Sequence, residues 1–180
     1  FAADGGLYAE MVKNRSFEFT LPMMGWEEPG SDRHSLNVTS GRTTVINMGD
    51  KPNPHFVQVE VKNPEGYKLI NTGFRGMGIK ANAVYNLTVR AKDPKGISNV
   101  HFTLIDADGN TLGSTSITPS GEGWKEYTAR FVASATEPKA RLQITFEGSG
   151  TVDLDMISLF PQDTWKGRPK GLRKDLVQLL

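Results

Sequence analysis

The chain has 180 residues, 37% hydrophobic and 23% charged, which suits one domain with a sizeable core. A net charge of +1 gives no electrostatic case for nucleic acid or an anionic membrane as partner, and no apolar run approaches a membrane span. Cysteine is absent, which excludes disulfides and thiolate metal sites, and 19 glycines with 10 prolines favour short strands joined by turns.

In chain order, Leu7, Met11 and Val12 share one face of a short helix expected over residues 7–13, within the zone Gly5 to Phe19. From about Trp26 to Phe160 the period changes to two. Val57, Val59 and Val61 point one way and Gln58 and Glu60 the other. Tyr85, Leu87, Val89 and Ala91 form the next apolar face, followed by Val100, Phe102 and Leu104. Asp108-Gly109 then marks a hairpin turn. Tyr127, Ala129 and Phe131 continue the alternation, then Leu142, Ile144 and Phe146, and finally Val152, Leu154 and Met156. One apolar and one polar face, repeated over many short segments, predicts antiparallel sheets packed as a β-sandwich. At the far end, Leu172, Leu176, Leu179 and Leu180 fall at helical spacing and predict a helix that runs to the end of the chain without a cap. Both terminal helical stripes are expected to pack on each other, on the sandwich or on a neighbouring molecule.

"AADGGLYAEMVKNRSFEF" (residues 2–19) resembles the early segment of the α-L-arabinofuranosidases of glycoside hydrolase family fifty-one. "ISLFPQDTWKGRPKGLRKDLVQLL" (residues 157–180) resembles a later segment of the same family, which leads into a helix of the catalytic barrel. The middle is similar to a carbohydrate-binding-like module of the galactose-binding jelly-roll type that some members carry between those segments. "NRSFEF", "GWKEYTARFVA" and "VDLDMISLF" carry that similarity. The resemblance implies an all-β antiparallel jelly roll over residues 17–160 with short helical segments at both ends. Residues 1–16 and 161–180 would be pieces of the parent's catalytic barrel. It also implies a parent enzyme that removes arabinofuranose from plant polysaccharides by a retaining mechanism, exported by a bacterium to the periplasm or outside the cell. The acid and the nucleophile of such chemistry would lie on barrel strands beyond residue 180, so the expected role of this chain is non-catalytic. Two roles stay open, a module that binds arabinose-containing polysaccharide (arabinan, arabinoxylan) and a structural domain that shapes the barrel without binding glycan.

Catalytic motifs are missing from the sequence. His34, His55 and His101 lie in three separate segments without metal-ligand spacing. Glu10 and Glu18 match neither catalytic carboxylate of the family. The resemblance implies a structural Ca²⁺ where first and last strands meet, with Glu18 and Asp155 as its carboxylates. "DADGN" at 106–110 lacks the glycine and glutamate of a calcium loop and is read as a turn. Sugar binding needs aromatic faces beside polar groups. Trp26, Tyr67, Phe74 and Arg75 are the candidates, with Gln58 and Glu60 lining a groove. Trp124 is expected in the core, as in "GWKEY" segments of such modules. The sequons at Asn14, Asn37 and Asn86 are short enough to arise by chance.

Overall fold

The computed structural model describes residues 7–29 and 40–179. Gly5, His34, the Asn37 sequon and Leu180 lie outside the described residues. The strands are β1 (Trp26–Glu27), β2 (Gly41–Asn47), β3 (His55–Val61), β4 (Leu69–Asn71), β5 (Met77–Ile79) and β6 (Val84–Lys95). They are followed by β7 (Asn99–Ile105), β8 (Thr111–Ile117), β9 (Lys125–Val132), β10 (Glu137–Glu147) and β11 (Gly150–Pro161). A 3₁₀ turn at Trp165–Gly167 and a single helical turn, α1 (Lys174–Val177), close the chain.

These strands form two antiparallel sheets, the sandwich that the alternation predicts. One runs β1-β4-β10-β7-β8 with β5 on the end of β10, and the other β2-β3-β11-β6-β9. Val57, Val59, Leu87, Val89, Val152 and Leu154 turn inward from the second sheet. Phe102, Leu104, Leu142 and Ile144 meet them from the first. All ten are buried to 0–1% exposure, so the period-two pattern is the core itself. The β7–β8 hairpin turns at Asp106–Asn110, where the Asp106 carboxylate accepts the backbone N–H groups of Asp108 and Asn110 at 2.9 and 2.8 Å. Gly150 ends the β10–β11 turn at φ 151°, where a Cβ would lie 1.7 Å from the Lys95 carbonyl oxygen.

Three expectations are corrected. Residues 7–13 are not helical. Their backbone is extended and then turns, and it bonds outward: Ala9 N–H donates to Gly171 O and Met11 N–H to Leu159 O. Val12 and Phe17 consequently enter the sandwich core with no exposure. The terminal helix shrinks to four residues. Leu172 lies ahead of it in an antiparallel bridge with Tyr8, and Arg173 N–H donates to Leu7 O at 2.7 Å. The two terminal segments therefore meet through backbone. Leu172 and Leu176 are half-buried, while Leu179 stays 82% exposed. Finally, Met156 does not share the face of Val152 and Leu154. It sits at φ 50° in a bulge, and the inserted residue hands the inward positions to Ile157 and Leu159.

Candidate functional site

The outward residues of the five-stranded sheet follow from the same alternation. Phe56, Gln58 and Glu60 leave β3 on the side opposite its valines, and Glu126, Thr128 and Arg130 leave β9 opposite Tyr127, Ala129 and Phe131. Strand register lines these residues up across the sheet. Thr44 stands opposite Gln58, Gln58 opposite Asp153, and Asp153 opposite Lys92. Ala91 pairs with Lys125, so Lys92 meets Trp124 at the head of β9. A second row sets Asp155 against Arg90 and Arg90 against Glu126.

The side chains of these rows lock together. Asp153, 4% exposed, accepts a hydrogen bond from Gln58 Nε2 at 3.1 Å and pairs with Lys92 Nζ at 3.3 Å. Lys92 Nζ also lies 4.9 Å from the Phe56 ring centre and 5.1 Å from that of Trp124, and the Arg90 guanidinium is 5.5 Å from the Trp124 ring. Phe56 and Trp124 meet edge to face, with centroids 5.3 Å apart and planes at 82°. Burial of Asp153 is tolerable because its charge is paired and hydrogen-bonded. Phe56 is buried beneath this cluster, whereas Trp124 is half-buried and keeps part of its indole at the surface. The result is a fixed aromatic edge beside an exposed amide, a carboxylate and an ammonium, able to take the C–H face of a sugar and its hydroxyls together.

Gln58 stands in this face as expected. Trp124 does not belong to the core as expected. It lies on the outer face, and parity with Glu126, Thr128 and Arg130 was the signal for it. Phe56, the other aromatic here, carries the same signal relative to Val57. Trp26 is 6% exposed, stacked on Phe17 at 5.3 Å, with its Nε1–H donated to the Asn14 carbonyl. Its faces are therefore closed to a ligand. Tyr67 is 1% exposed. Its ring packs on Phe146 and its hydroxyl bonds Thr43 and Glu28, so it too belongs to the core. Phe74 and Arg75 line a different crevice of about 1130 Å³, between the β4–β5 connection and the terminal segments at Tyr8–Met11 and Arg173–Asp175. Trp26 and Arg75 thus share no groove.

Asp155 lies on β11, the central strand of the five-stranded sheet, within reach of the charge of Glu18. Both oxygens of Glu18 are engaged by His55, Oε1 by its backbone N–H at 2.8 Å and Oε2 by Nδ1 at 2.6 Å. Asp155 accepts the Met156 N–H at 2.7 Å. Burial, aided by the charge of Glu18, pushes its carboxyl up to about 6, against the opposing pull of Arg90 and Arg15. Among the described residues no group of three or more histidines and carboxylates gathers as a metal cluster.

Comparison with known proteins brings the sequence flanks and the sandwich together. No family model matches the chain. An extracellular exo-α-L-arabinofuranosidase of Streptomyces chartreusis is 31% identical over 188 residues, covering 98% of this chain and 20% of the relative. The structure of an arabinose-bound GH51 α-L-arabinofuranosidase superposes with a TM-score of 0.78 at 24% identity, over 97% of this chain and 30% of that one. The CBM22-1 xylan-binding domain of Paenibacillus barcinonensis Xyn10C shares the fold at a TM-score of 0.56 and 13% identity, over 91% of this chain and 100% of that domain. The chain spans 20–29% of the length of the arabinofuranosidases it matches. It corresponds to a jelly-roll segment, outside the catalytic barrel, of α-L-arabinofuranosidases of glycoside hydrolase family fifty-one.

Proposed function

We propose that this chain is the carbohydrate-binding domain of an exported α-L-arabinofuranosidase, holding arabinose-containing plant polysaccharide such as arabinan or arabinoxylan near a catalytic barrel of the same polypeptide. The observation that carries the reading is Trp124, half-exposed on the outer face and braced by Phe56 and Lys92 beside Gln58. A ring held in this way loses little entropy when a sugar stacks on it. The similarity to an extracellular arabinofuranosidase and to the xylan-binding fold supports the ligand class and the export. Affinity electrophoresis on arabinan and arabinoxylan tests it. The chain is expected to be retarded, and Trp124→Ala to migrate as on a sugar-free gel. Unretarded migration of the unaltered chain on both polymers would favour a structural domain that shapes the barrel without binding glycan.

We also propose a structural Ca²⁺ held by Glu18 and Asp155. Two neighbouring carboxylates, one of them raised by burial and by the other's charge, offer hard oxygens whose repulsion a dication would relieve. Carbonyls and water would supply the remaining ligands, and Glu18 would have to release His55. Calcium is expected to raise the Tm of the chelator-treated protein; an unchanged Tm would remove the metal.

A further inference from the structure

The outer face continues past Trp124 along β9 into a groove of about 560 Å³. Its floor is Thr88 and Thr128, cross-strand partners, beside Asn86 opposite Arg130. Its wall is the segment after β11, with Gln162, Arg168 and Lys170. Arg130, Arg168 and Lys170 are all exposed, and their side chains have no hydrogen-bond or ion-pair partner among the described residues. The acidic group on this lining is Glu126, which lies on β9 between Trp124 and Arg130. The far end of the groove therefore carries three unpaired cations, whereas beside Trp124 the cations Arg90 and Lys92 face the carboxylates Glu126, Asp155 and Asp153. Hydroxyls and amides on the floor suit a polyhydroxylated ligand. Two unpaired guanidiniums suit a carboxylate, which they bind in planar, charge-assisted pairs. A polyanion with a charge on every unit would meet Glu126, whereas a glycan with widely spaced carboxylates would not.

We propose that this groove selects a glycan bearing uronic acid side groups, its neutral sugars running along β9 from Trp124 and a carboxylate seated between Arg130 and Arg168. The inference rests on the glycan-binding reading and adds the acidic substrate class to it. From position 124 to 130 a strand advances about 20 Å, room for several sugar units between the indole and the guanidiniums.

The test compares glucuronoarabinoxylan with the same polymer after its carboxyl groups have been reduced to alcohols, by affinity electrophoresis at fixed ionic strength. The unaltered chain is expected to bind the native polymer roughly tenfold more tightly than the reduced one. The double variant Arg130→Gln/Arg168→Gln should bind both polymers alike, at the level of the reduced polymer, with its Tm unchanged because both side chains are exposed. Equal affinity of the unaltered chain for the two polymers overturns the inference and leaves the glycan reading standing. A preference that persists in the double variant overturns it as well. Failure to bind either polymer removes the glycan reading and this inference together.

Discussion

Asp155 is an outer-face carboxyl whose burial opposes its charge. Burial raises its carboxyl from 3.8 to about 6 in the folded chain. The folded state therefore holds its proton more tightly than the unfolded state does. By linkage, stability from this group is fully present below pH 3.8, declines as pH climbs towards 6, and stays at its lower value above that. Asp155→Asn keeps an oxygen for the Met156 N–H and removes the charge. In chelator, the variant should match the parent in Tm near pH 4 and exceed it at pH 7. Parallel melting curves for the two proteins across that range would refute the raised carboxyl. Other single residues were legible to different degrees. Gln58 could be placed because its neighbours alternate without interruption. Trp124 carried the same parity signal, but the likeness of "GWKEY" to structural segments elsewhere outweighed it. Trp26 and Tyr67 read in sequence as exposed ligand aromatics, yet each has a polar atom that finds an internal partner, Asn14 O for the indole and Glu28 for the phenol. Composition cannot reveal such partners, since they come from residues 12 and 39 positions away.

At the scale of elements, long strands were read correctly and short or bent ones were not. β3, β6, β7, β9 and β10 alternate over residues 57–61, 85–91, 100–104, 127–131 and 142–146, so sequence and structure agree there on which face is inside. β11 breaks the rule at Met156, where a left-handed residue inserts into the ladder and reverses the parity of residues 157–161. No residue preference announces that bulge, because methionine rarely adopts φ 50°. The helical reading of residues 7–13 rested on three apolar residues, too few to separate a 3.6 period from coincidence. Their N–H groups find better acceptors in Gly171 and Leu159 than a helix would provide, and isolated helices this short are marginal. The one-turn α1 fails for the same reason. Leu172, ahead of it, is held in the bridge to Tyr8, so the helical turn begins only at Lys174.

Considered as a whole, the sandwich is closed by a contact between its sequence extremes. Glu10, 5% exposed, accepts backbone N–H groups from Met11, Val12 and Leu159 on Oε1, at 3.1, 3.0 and 2.9 Å. The Ser158 hydroxyl donates to Oε2, and Arg15 lies 3.7 Å from the same oxygen. A single carboxyl thus satisfies the bulged end of β11 and the segment around Met11 and Val12, with Ser158 lying 148 residues from Glu10 in sequence. Burial pushes this carboxyl upward while its donors pull it back. Glu10→Ala would leave the Val12 and Leu159 amides and the Ser158 hydroxyl without this acceptor, while Met11 N–H keeps Leu159 O, a loss of roughly 2–5 kcal/mol. For a chain of this length that corresponds to a fall in Tm of roughly 5–15 °C. Glu10→Gln retains the oxygen for the three amides, and its amide N–H can donate to the Ser158 hydroxyl in a reversed bond. It should therefore melt within a few degrees of the parent. The contrast between the two variants is the informative measurement: equal destabilisation would assign the role to the pairing of Glu10's negative charge with Arg15, and equal stability would mean that water replaces the carboxyl. Retention by glutamine alone identifies Glu10 as a hydrogen-bond hub that ties the first segment to the last strand, the arrangement that holds the terminal segments against the sandwich.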